Sequence, residues 1–432
     1  MKNIMSAVCT ASFGILLIVL FLMVLHELSP VSRNAEVNQN EVLQTEIAAV
    51  HEGTSTLAWE ESASMEGTSM VGNISMIEER ESVPGVFLDL DTSENLEQGT
   101  DEKETKSGEM QEKTRTRLLF AGDICIQDYI ASYYDNAGIG GIVSDKLREQ
   151  MLAADIMMAN QEFAFSERGK PMEDKQYTYE IAPHYVSIFT DLGIDIVTLA
   201  NNHALDYGTD ALLDSFDALD GAGVLYVGAG KNFERAKKLE IIEKDGIRFG
   251  FLAASRVIPV TDWNAGLDTP GMLTTYDPTA LIREIEKGKE LCDVLVVYVH
   301  WGVERNEYPE EYQKTMARQY IDAGADVVVG THPHVMQGIE YYKGKPIAYS
   351  LGNYIFSSRT GIGAMLCLSW DREKEVEAAL VPFNASAFPV KELEQEKRKE
   401  FFRYMERISF GISIDEAGRI CYTQDNKPVN EP

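Results

Sequence analysis

Cysteine is scarce in this chain, with only 5 among 432 residues. Cys9 lies in an apolar run near the N-terminus, and the others are widely spaced and mostly fall in apolar stretches. This spacing excludes a small domain built on a disulfide framework. Buried free thiols are the expected state. A bridge between Cys367 and Cys421 is possible, although no pattern indicates it.

Basic residues are also few: Lys and Arg total 39, Asp and Glu total 69, and the formal net charge is −30. A nucleic-acid binder is therefore excluded as the first interpretation, because few cations are available to neutralise phosphates. The same deficit disfavours electrostatic adhesion to anionic lipid. We expect no nucleic-acid partner.

An apolar run covers residues 4–25, and its length of about 22 residues is enough to span a bilayer. Lys2 precedes the run and acidic residues follow it, so the positive-inside rule places the N-terminus in the cytoplasm. No small-x-small cleavage site follows, which favours an uncleaved signal anchor over residues 1–29 rather than a signal peptide. The sequence thus predicts a single-pass protein of the cell membrane with an extracytoplasmic globular part.

The remainder of the chain divides by composition. Residues 30–115 are rich in Glu, Ser and Thr and poor in aromatics, a composition typical of a disordered acidic linker. Strand-like and helix-like patterns begin near Thr116, and we place a globular domain over residues 116–360. Residues 361–432 show no motif with chemistry, and we expect them to pack on that domain as a C-terminal extension.

Polar side chains follow the apolar, strand-like stretches of the globular part. The chain has only 7 histidines, and four of them stand in such positions. In open α/β sheets a ligand binds beyond the carboxyl ends of the strands, so these side chains are expected to gather at one site. The residues concerned are Asp123, Glu162, Asn202, His203, His300, His332 and His334.

Each of these motifs also has an ordinary explanation when taken alone. Asp123 could cap a helix or occupy a turn. Asn202 and His203 could form a surface turn, and His300 could be a packed core residue. His332 and His334, separated by Pro333, could equally be a His-Pro-His surface turn. The recurrence of polar residues at successive strand ends favours a common site.

Such a mixed set of oxygen and nitrogen ligands suits one or two divalent metal ions, for which Mn, Zn, Fe and Mg are the candidates. Glu162 could bridge two ions, and two ions would bind an oxyanion and activate water near neutral pH. His203 could then act as a general acid on the leaving group. Asp206, three residues later, is close enough in sequence to orient that imidazole.

The order of these motifs resembles the calcineurin-like metallophosphoesterases, and their detail resembles the CapA family of capsule synthesis proteins, also called PgsA-like. The resemblance covers about residues 116–356. It rests on six blocks: Gly122-Asp123, Asn160-Gln161-Glu162, Asn201-Asn202-His203-Ala204-Leu205-Asp206-Tyr207-Gly208, His300-Trp301-Gly302-Val303-Glu304, Gly330-Thr331-His332-Pro333-His334 and Tyr349-Ser350-Leu351-Gly352-Asn353.

The resemblance implies an α/β fold in four layers, an α-β-β-α sandwich like that of metallophosphoesterases. It implies a role in making, anchoring or exporting a poly-γ-glutamate capsule, with membrane proteins of capsule synthesis and export as partners and an anionic polymer as ligand. The activity is left open among three alternatives. They are a metal-dependent hydrolase-like reaction in capsule synthesis, a phosphoesterase acting on an exported phosphate ester, and a non-catalytic scaffold that binds polymer.

The chain departs from the metallophosphoesterase pattern at the first strand. Those enzymes usually carry Asp-x-His there, whereas this chain has Asp123-Ile124-Cys125, and Glu162 replaces an expected Asp. The first metal site is therefore expected to be weak, or Cys125 serves it as a thiolate ligand. The second site looks more complete, with Glu162, Asn202, His300 and His332. Three further residues are expected to support the ligands from behind: Asn160, Glu304 and Asn353.

Overall fold

The computed structural model describes residues 115–356, 361–371, 373 and 376–422. The anchor predicted over residues 1–29 lies outside these residues, as does all of the predicted linker except Arg115. Within the described ranges, no helix combines the length and the apolar character that crossing a membrane requires.

The described residues alternate between strands and helices over most of their length. The α-helices are α1 Asp128–Ala137, α2 Asp145–Leu152, α3 Ser187–Leu192, α4 Thr209–Ala222, α5 Phe233–Ala236, α6 Thr279–Leu291, α7 Glu311–Ala323 and α8 Gln395–Ile408. The strands are β1 Thr116–Ile124, β2 Ile156–Gln161, β3 Ala164–Phe165, β4 Glu180–Ile181, β5 Ile196–Thr198, β6 Leu225–Val227, β7 Ala229–Gly230, β8 Glu240–Lys244, β9 Ile247–Ser255, β10 Gly271–Met272, β11 Val294–His300, β12 Val327–Thr331, β13 Ile339–Tyr342, β14 Lys345–Ala348, β15 Asn353–Ile355, β16 Ile362–Trp370, β17 Val376–Asn384, β18 Lys391–Glu392, β19 Ile412–Ile414 and β20 Arg419–Tyr422.

The larger sheet has 10 strands, with the main order β19-β20-β17-β16-β1-β2-β5-β6. Strands β1, β2, β5 and β6 run parallel, and β15 pairs in parallel with the end of β1. Strand β16 pairs antiparallel along β1 and carries the rest of the sheet. The carboxyl ends of the parallel strands therefore lie along one edge.

The second sheet has 6 strands in the order β13-β14-β12-β11-β9-β8. Its four central strands are parallel, and β13 and β8 close it as antiparallel neighbours. Every residue of β11 and β12 is buried, which explains their near-continuous runs of Val, Leu and Tyr. The buried parallel strand predicted before Gly330 is thus confirmed.

Three apolar clusters show how the layers stack. One cluster joins the two sheets, with Phe120 of β1 and Tyr298 of β11 among its members; the Tyr298 hydroxyl also donates a 2.7 Å hydrogen bond to the Ala121 carbonyl. A second cluster packs α1 to α4 on the outer face of the larger sheet. A third packs α6 and α7 on the outer face of the smaller sheet. The order is helix, sheet, sheet, helix, within a mixed α/β fold.

Residues beyond 360 contribute strands to the larger sheet rather than only packing against it. Strand β16 pairs with β1 from Thr116 to Phe120, and β17 and β20 continue the sheet outward. Lys391 and Glu392 pair with β17 as a short strand, and helix α8 begins after them at Gln395. The domain boundary near residue 360 stays a prediction.

The cysteines of the described residues are all free thiols. Cys125, Cys292 and Cys367 are buried, and Cys421 is exposed. The structure therefore contains no bridge between Cys367 and Cys421.

Candidate metal centre

The carboxyl ends of the parallel strands in the two sheets meet at one place. Asp123 lies at the end of β1 and Glu162 directly follows β2, while His300 ends β11. All three side chains are fully buried. Candidate ligand atoms within 4.8 Å of one another form two groups that share Glu162: Asp123 with Glu162 and His300, and Glu162 with His332 and His334.

The loop after β12 presents its two histidines through an unusual backbone. His332 has φ of 98° and His334 has φ of 60°, on either side of Pro333. Left-handed backbone is costly for residues other than glycine, by about 1–3 kcal/mol each. The loop is held by the His332 amide, which donates to Asp123 Oδ2 at 3.3 Å, and by the Arg305 amide, which donates to the Pro333 carbonyl at 2.7 Å.

His300, at the end of β11 in the smaller sheet, contacts residues at the ends of strands in the larger sheet. Its Nε2 lies 2.7 Å from Asn202 Oδ1 and 3.6 Å from Glu162 Oε1. Its Nδ1 lies 3.3 Å from both Asn160 Nδ2 and Thr331 Oγ1. Burial and the neighbouring His332 hold the pKa of His300 well below its usual value. The ring is therefore neutral and able to offer a lone pair.

Two buried atoms at the centre of this arrangement have no hydrogen-bond partner: Glu162 Oε1 and His332 Nδ1. Burial and the nearby Asp123 carboxylate raise the pKa of Glu162 well above its usual value. Burial and His334 lower the pKa of His332 to about 4. Buried polar groups are almost always satisfied, and a cation bound between these atoms would satisfy both. The donor set fits a divalent metal ion.

His334 and Asp123 form the other side of the centre. His334 Nδ1 lies 2.8 Å from Asn353 Oδ1 and 3.4 Å from Asp123 Oδ2. Burial alone would lower the pKa of His334, but the Glu162 and Asp123 carboxylates outweigh it and raise the pKa to about 10. Asn160 supports the same carboxylate by donating to Asp123 Oδ1 at 2.8 Å. Asn160 and Asn353 thus each contact a candidate ligand.

His203 forms a dyad with Asp206, whose Oδ2 lies 2.6 Å from His203 Nδ1. Tyr179 packs against the imidazole at 4.6 Å between ring centroids, and its amide donates to Asp206 Oδ2 at 2.8 Å. Burial is the largest cause that lowers the pKa of His203, opposed by Asp206. A neutral ring that shares its Nδ1 proton with Asp206 leaves Nε2 for a substrate.

Sequence reasoning missed Lys175. Its ammonium contacts the Asp206 carboxylate and the Asn202 carbonyl, and lies 3.0 Å from His203 Nδ1. Burial lowers the pKa of Lys175. Lys175 lies in the charged loop between β3 and β4, where a single lysine carries no signal of its own.

Two predicted members do not join the centre. Cys125 is buried, but it belongs to neither group of candidate ligands; burial and Glu162 raise the pKa of its thiol, which disfavours a thiolate. Glu304 is exposed in the turn after β11, and no hydrogen bond links it to His300 among the described residues. Asn160 and Thr331 contact the His300 ring instead, so the anchoring role expected of Glu304 was wrong.

The family described as bacterial capsule synthesis protein PGA_cap matches residues 117–358, more than half of the chain. The PGA biosynthesis protein CapA of Bacillus subtilis (strain 168) is 30% identical over 315 residues, which cover 71% of this chain and 82% of that protein. The capsule biosynthesis protein CapA of Bacillus anthracis is 34% identical over 215 residues, 49% of each chain.

Among solved structures, a novel phosphatase from Mycoplasma pneumoniae is 12% identical with a TM-score of 0.41, over 63% of this chain and 94% of that one. An overlap of this size does not establish a common fold, so the assignment rests on the sequence matches. Those matches and the six motif blocks agree. The chain belongs to the bacterial capsule synthesis protein family PGA_cap.

Proposed function

We propose that this chain is a membrane-anchored, extracytoplasmic protein of poly-γ-glutamate capsule synthesis, with a hydrolase-like site that works with one or two divalent ions. The observation that carries the proposal is the pair of unpartnered buried atoms, Glu162 Oε1 and His332 Nδ1, enclosed by other candidate ligands. The printed names of the Bacillus relatives support the capsule role.

The residues divide into two overlapping sets. Asp123, Glu162 and His300 would hold one ion, with Asn202 beside His300, and Glu162, His332 and His334 would hold a second, with Glu162 common to both. An ion there would supply Lewis acidity and lower the pKa of a water bound to it towards neutrality.

The protein's own groups would handle the proton. Asp206 fixes the His203 ring through Nδ1, so Nε2 is the atom that takes a proton from a bound substrate, and the imidazolium so formed can return that proton to a leaving group. Lys175 holds the Asp206 carboxylate from its other oxygen. The buried setting excludes water and strengthens these contacts.

The test is the metal content of the full-length chain, purified without chelator and compared with His300→Ala and His332→Ala. We expect one or two equivalents in the wild type and a loss in both variants. His184→Ala is the matched control, because His184 is exposed and outside the centre. Wild-type metal content in both variants, with unchanged capsule production in cells, would overturn the site assignment.

A phosphoesterase acting on an exported phosphate ester is the second candidate, favoured by the 2.6 Å contact of the His203–Asp206 dyad. Metal-dependent turnover of an aryl phosphate that is lost in His203→Ala would support it. Tight metal binding without hydrolysis of any ester, amide or polymer would instead favour the polymer-binding scaffold.

The membrane anchor and the capsule partners are part of the proposal and rest on residues 4–25 and on the family. Protease treatment of intact cells tests the topology. Digestion of the globular part from outside is the expected result. A fully protected chain that becomes sensitive only after lysis would overturn the extracytoplasmic location.

A further inference from the structure

A cavity of about 370 Å³ opens beside the candidate metal centre. Its wall nearest the centre includes His334 and Asn353, which contact each other at 2.8 Å. His334 Nδ1 also lies 3.4 Å from Asp123 Oδ2. A ligand in the cavity would therefore touch a residue of the centre itself.

Helix α8 supplies another wall of this cavity, through Lys397, Glu400, Phe401 and Tyr404. The helix lies beyond residue 358, where the family match ends. Its apolar face, including Phe401, is buried in the cluster that joins the two sheets. The wall is thus fixed in place, and it comes from a segment outside the matched residues.

Two charged side chains of helix α8, Lys397 and Glu400, line the cavity without a partner among the described residues. Lys397 and Glu400 are exposed and stand three residues apart, on one face of α8. Within the described part of the chain, neither forms an ion pair or a hydrogen bond. Tyr404 differs, because burial and the charge of Glu307, also in the wall, raise its pKa. Lys397 and Glu400 are therefore available to a ligand.

The residues that line the cavity indicate the chemistry of the ligand it would bind. Met336, Leu351 and Phe401 give the cavity an apolar surface. A purely anionic ligand would meet Lys397 but would be repelled by Glu400. A group that carries a carboxylate and an ammonium close together would satisfy both charges. An α-amino acid is the common group of that kind, and the amino-terminal unit of a γ-linked glutamate chain carries one.

We propose that this cavity binds the zwitterionic amino-acid end of a peptide-like substrate, with Lys397 facing its carboxylate and Glu400 facing its ammonium. The inference deepens the function proposed above and rests on it for the reaction, but not for the binding. Helix α8 then determines which end of a polymer reaches the metal centre.

The experiment is calorimetric titration of the full-length chain in detergent with γ-glutamylglutamate, and with N-glutarylglutamate, which differs only by lacking the ammonium. We expect the dipeptide to bind about tenfold more tightly than N-glutarylglutamate, since one charge-assisted contact is lost. Lys397→Met and Glu400→Gln should each weaken the dipeptide about tenfold for the same reason. Matched controls on the same helix, Lys399→Met and Glu396→Gln, should not change it.

Equal binding of N-glutarylglutamate and dipeptide would overturn the inference, as would no binding of the dipeptide. An equal loss in the control variants would also overturn it, because general surface charge would then explain the effect. The metal assay separates the two proposals. A chain that binds the dipeptide but no metal would overturn only the proposed function, and a chain that holds metal but not the dipeptide would overturn only this inference.

Discussion

The buried polar groups at the two ends of strand β12 differ in whether their hydrogen bonds are satisfied. Asp326, just before the strand, is satisfied on both oxygens: Lys289 Nζ at 2.6 Å and the Leu295 amide at 2.9 Å reach Oδ2, and Lys345 Nζ at 2.5 Å reaches Oδ1. His332, just after the strand, has a buried Nδ1 with no hydrogen bond. The polar group before β12 is thus fully hydrogen-bonded, whereas the one after it is not.

The difference separates structure from function. A buried carboxylate whose hydrogen bonds and ion pairs all come from the protein itself stabilises the fold and needs no ligand. A group of buried candidate ligands whose polar atoms are not all hydrogen-bonded lowers stability until an ion binds. The variants below act on one end or the other, and each should move either stability or metal binding.

The largest effect is expected from Glu162→Gln, which removes the carboxylate common to both candidate ligand groups. Metal affinity should fall by at least about 100-fold, about 3 kcal/mol. The metal-free protein should be as stable as the wild type or more stable, since a buried charge beside Asp123 disappears. Metal titration and thermal unfolding after chelator treatment measure the two quantities.

Lower stability of metal-free Glu162→Gln would contradict this prediction. It would show that the carboxylate contributes to folding without an ion. The buried groups of the centre would then stabilise the fold as Asp326 does, and the two ends of β12 would not differ in this respect.

Asp326→Asn should give the reverse result. The amide carries no charge to balance Lys289 and Lys345 and can accept through only one atom. Both lysines are partly exposed and can turn to solvent, so we expect a loss of about 2 kcal/mol in the free energy of unfolding. Metal content should stay that of the wild type. Denaturant unfolding and elemental analysis check both points, and a loss of metal would show that the two ends are coupled.

Asn353→Ala should have a smaller effect on the centre. Asn353 Oδ1 holds His334 Nδ1 at 2.8 Å, and removing such a support typically lowers metal affinity about 10-fold. Gln at this position restores the amide on a longer side chain and should recover part of the affinity. If Asn353→Ala binds metal like the wild type, His334 is not a ligand.

Much of the candidate centre could be predicted because its members lie at or just beyond the ends of strands. Apolar runs before Asp123, Glu162, His300 and His332 predict strands, and parallel strands bring their ends together. The sequence therefore indicates the membership of the site without any knowledge of distances. The motif at the end of β2 also contains Asn160, whereas Asn353 is the first residue of β15.

Contacts that depend on loops could not be predicted in this way. Lys175 reaches Asp206 across 31 positions, and nothing in the loop composition marks that residue. The prediction for Glu304 was wrong for a related reason. The chain turns after Gly302, which has a φ of 98°, and this turn leaves the Glu304 carboxylate exposed. The positive φ of His332 and His334 is likewise set by tertiary contacts rather than by local preference.

Cys125→Ala gives the smallest expected effect and tests the departure at the first strand. The thiol is fully buried, and burial raises its pKa, so it packs as a small apolar group rather than as a thiolate. Metal content should stay that of the wild type, with a stability loss of about 1 kcal/mol from the lost packing. Elemental analysis with thermal unfolding measures both. A fall in metal content with unchanged stability would make Cys125 a ligand, with sulfur at the position where the metallophosphoesterase pattern has histidine.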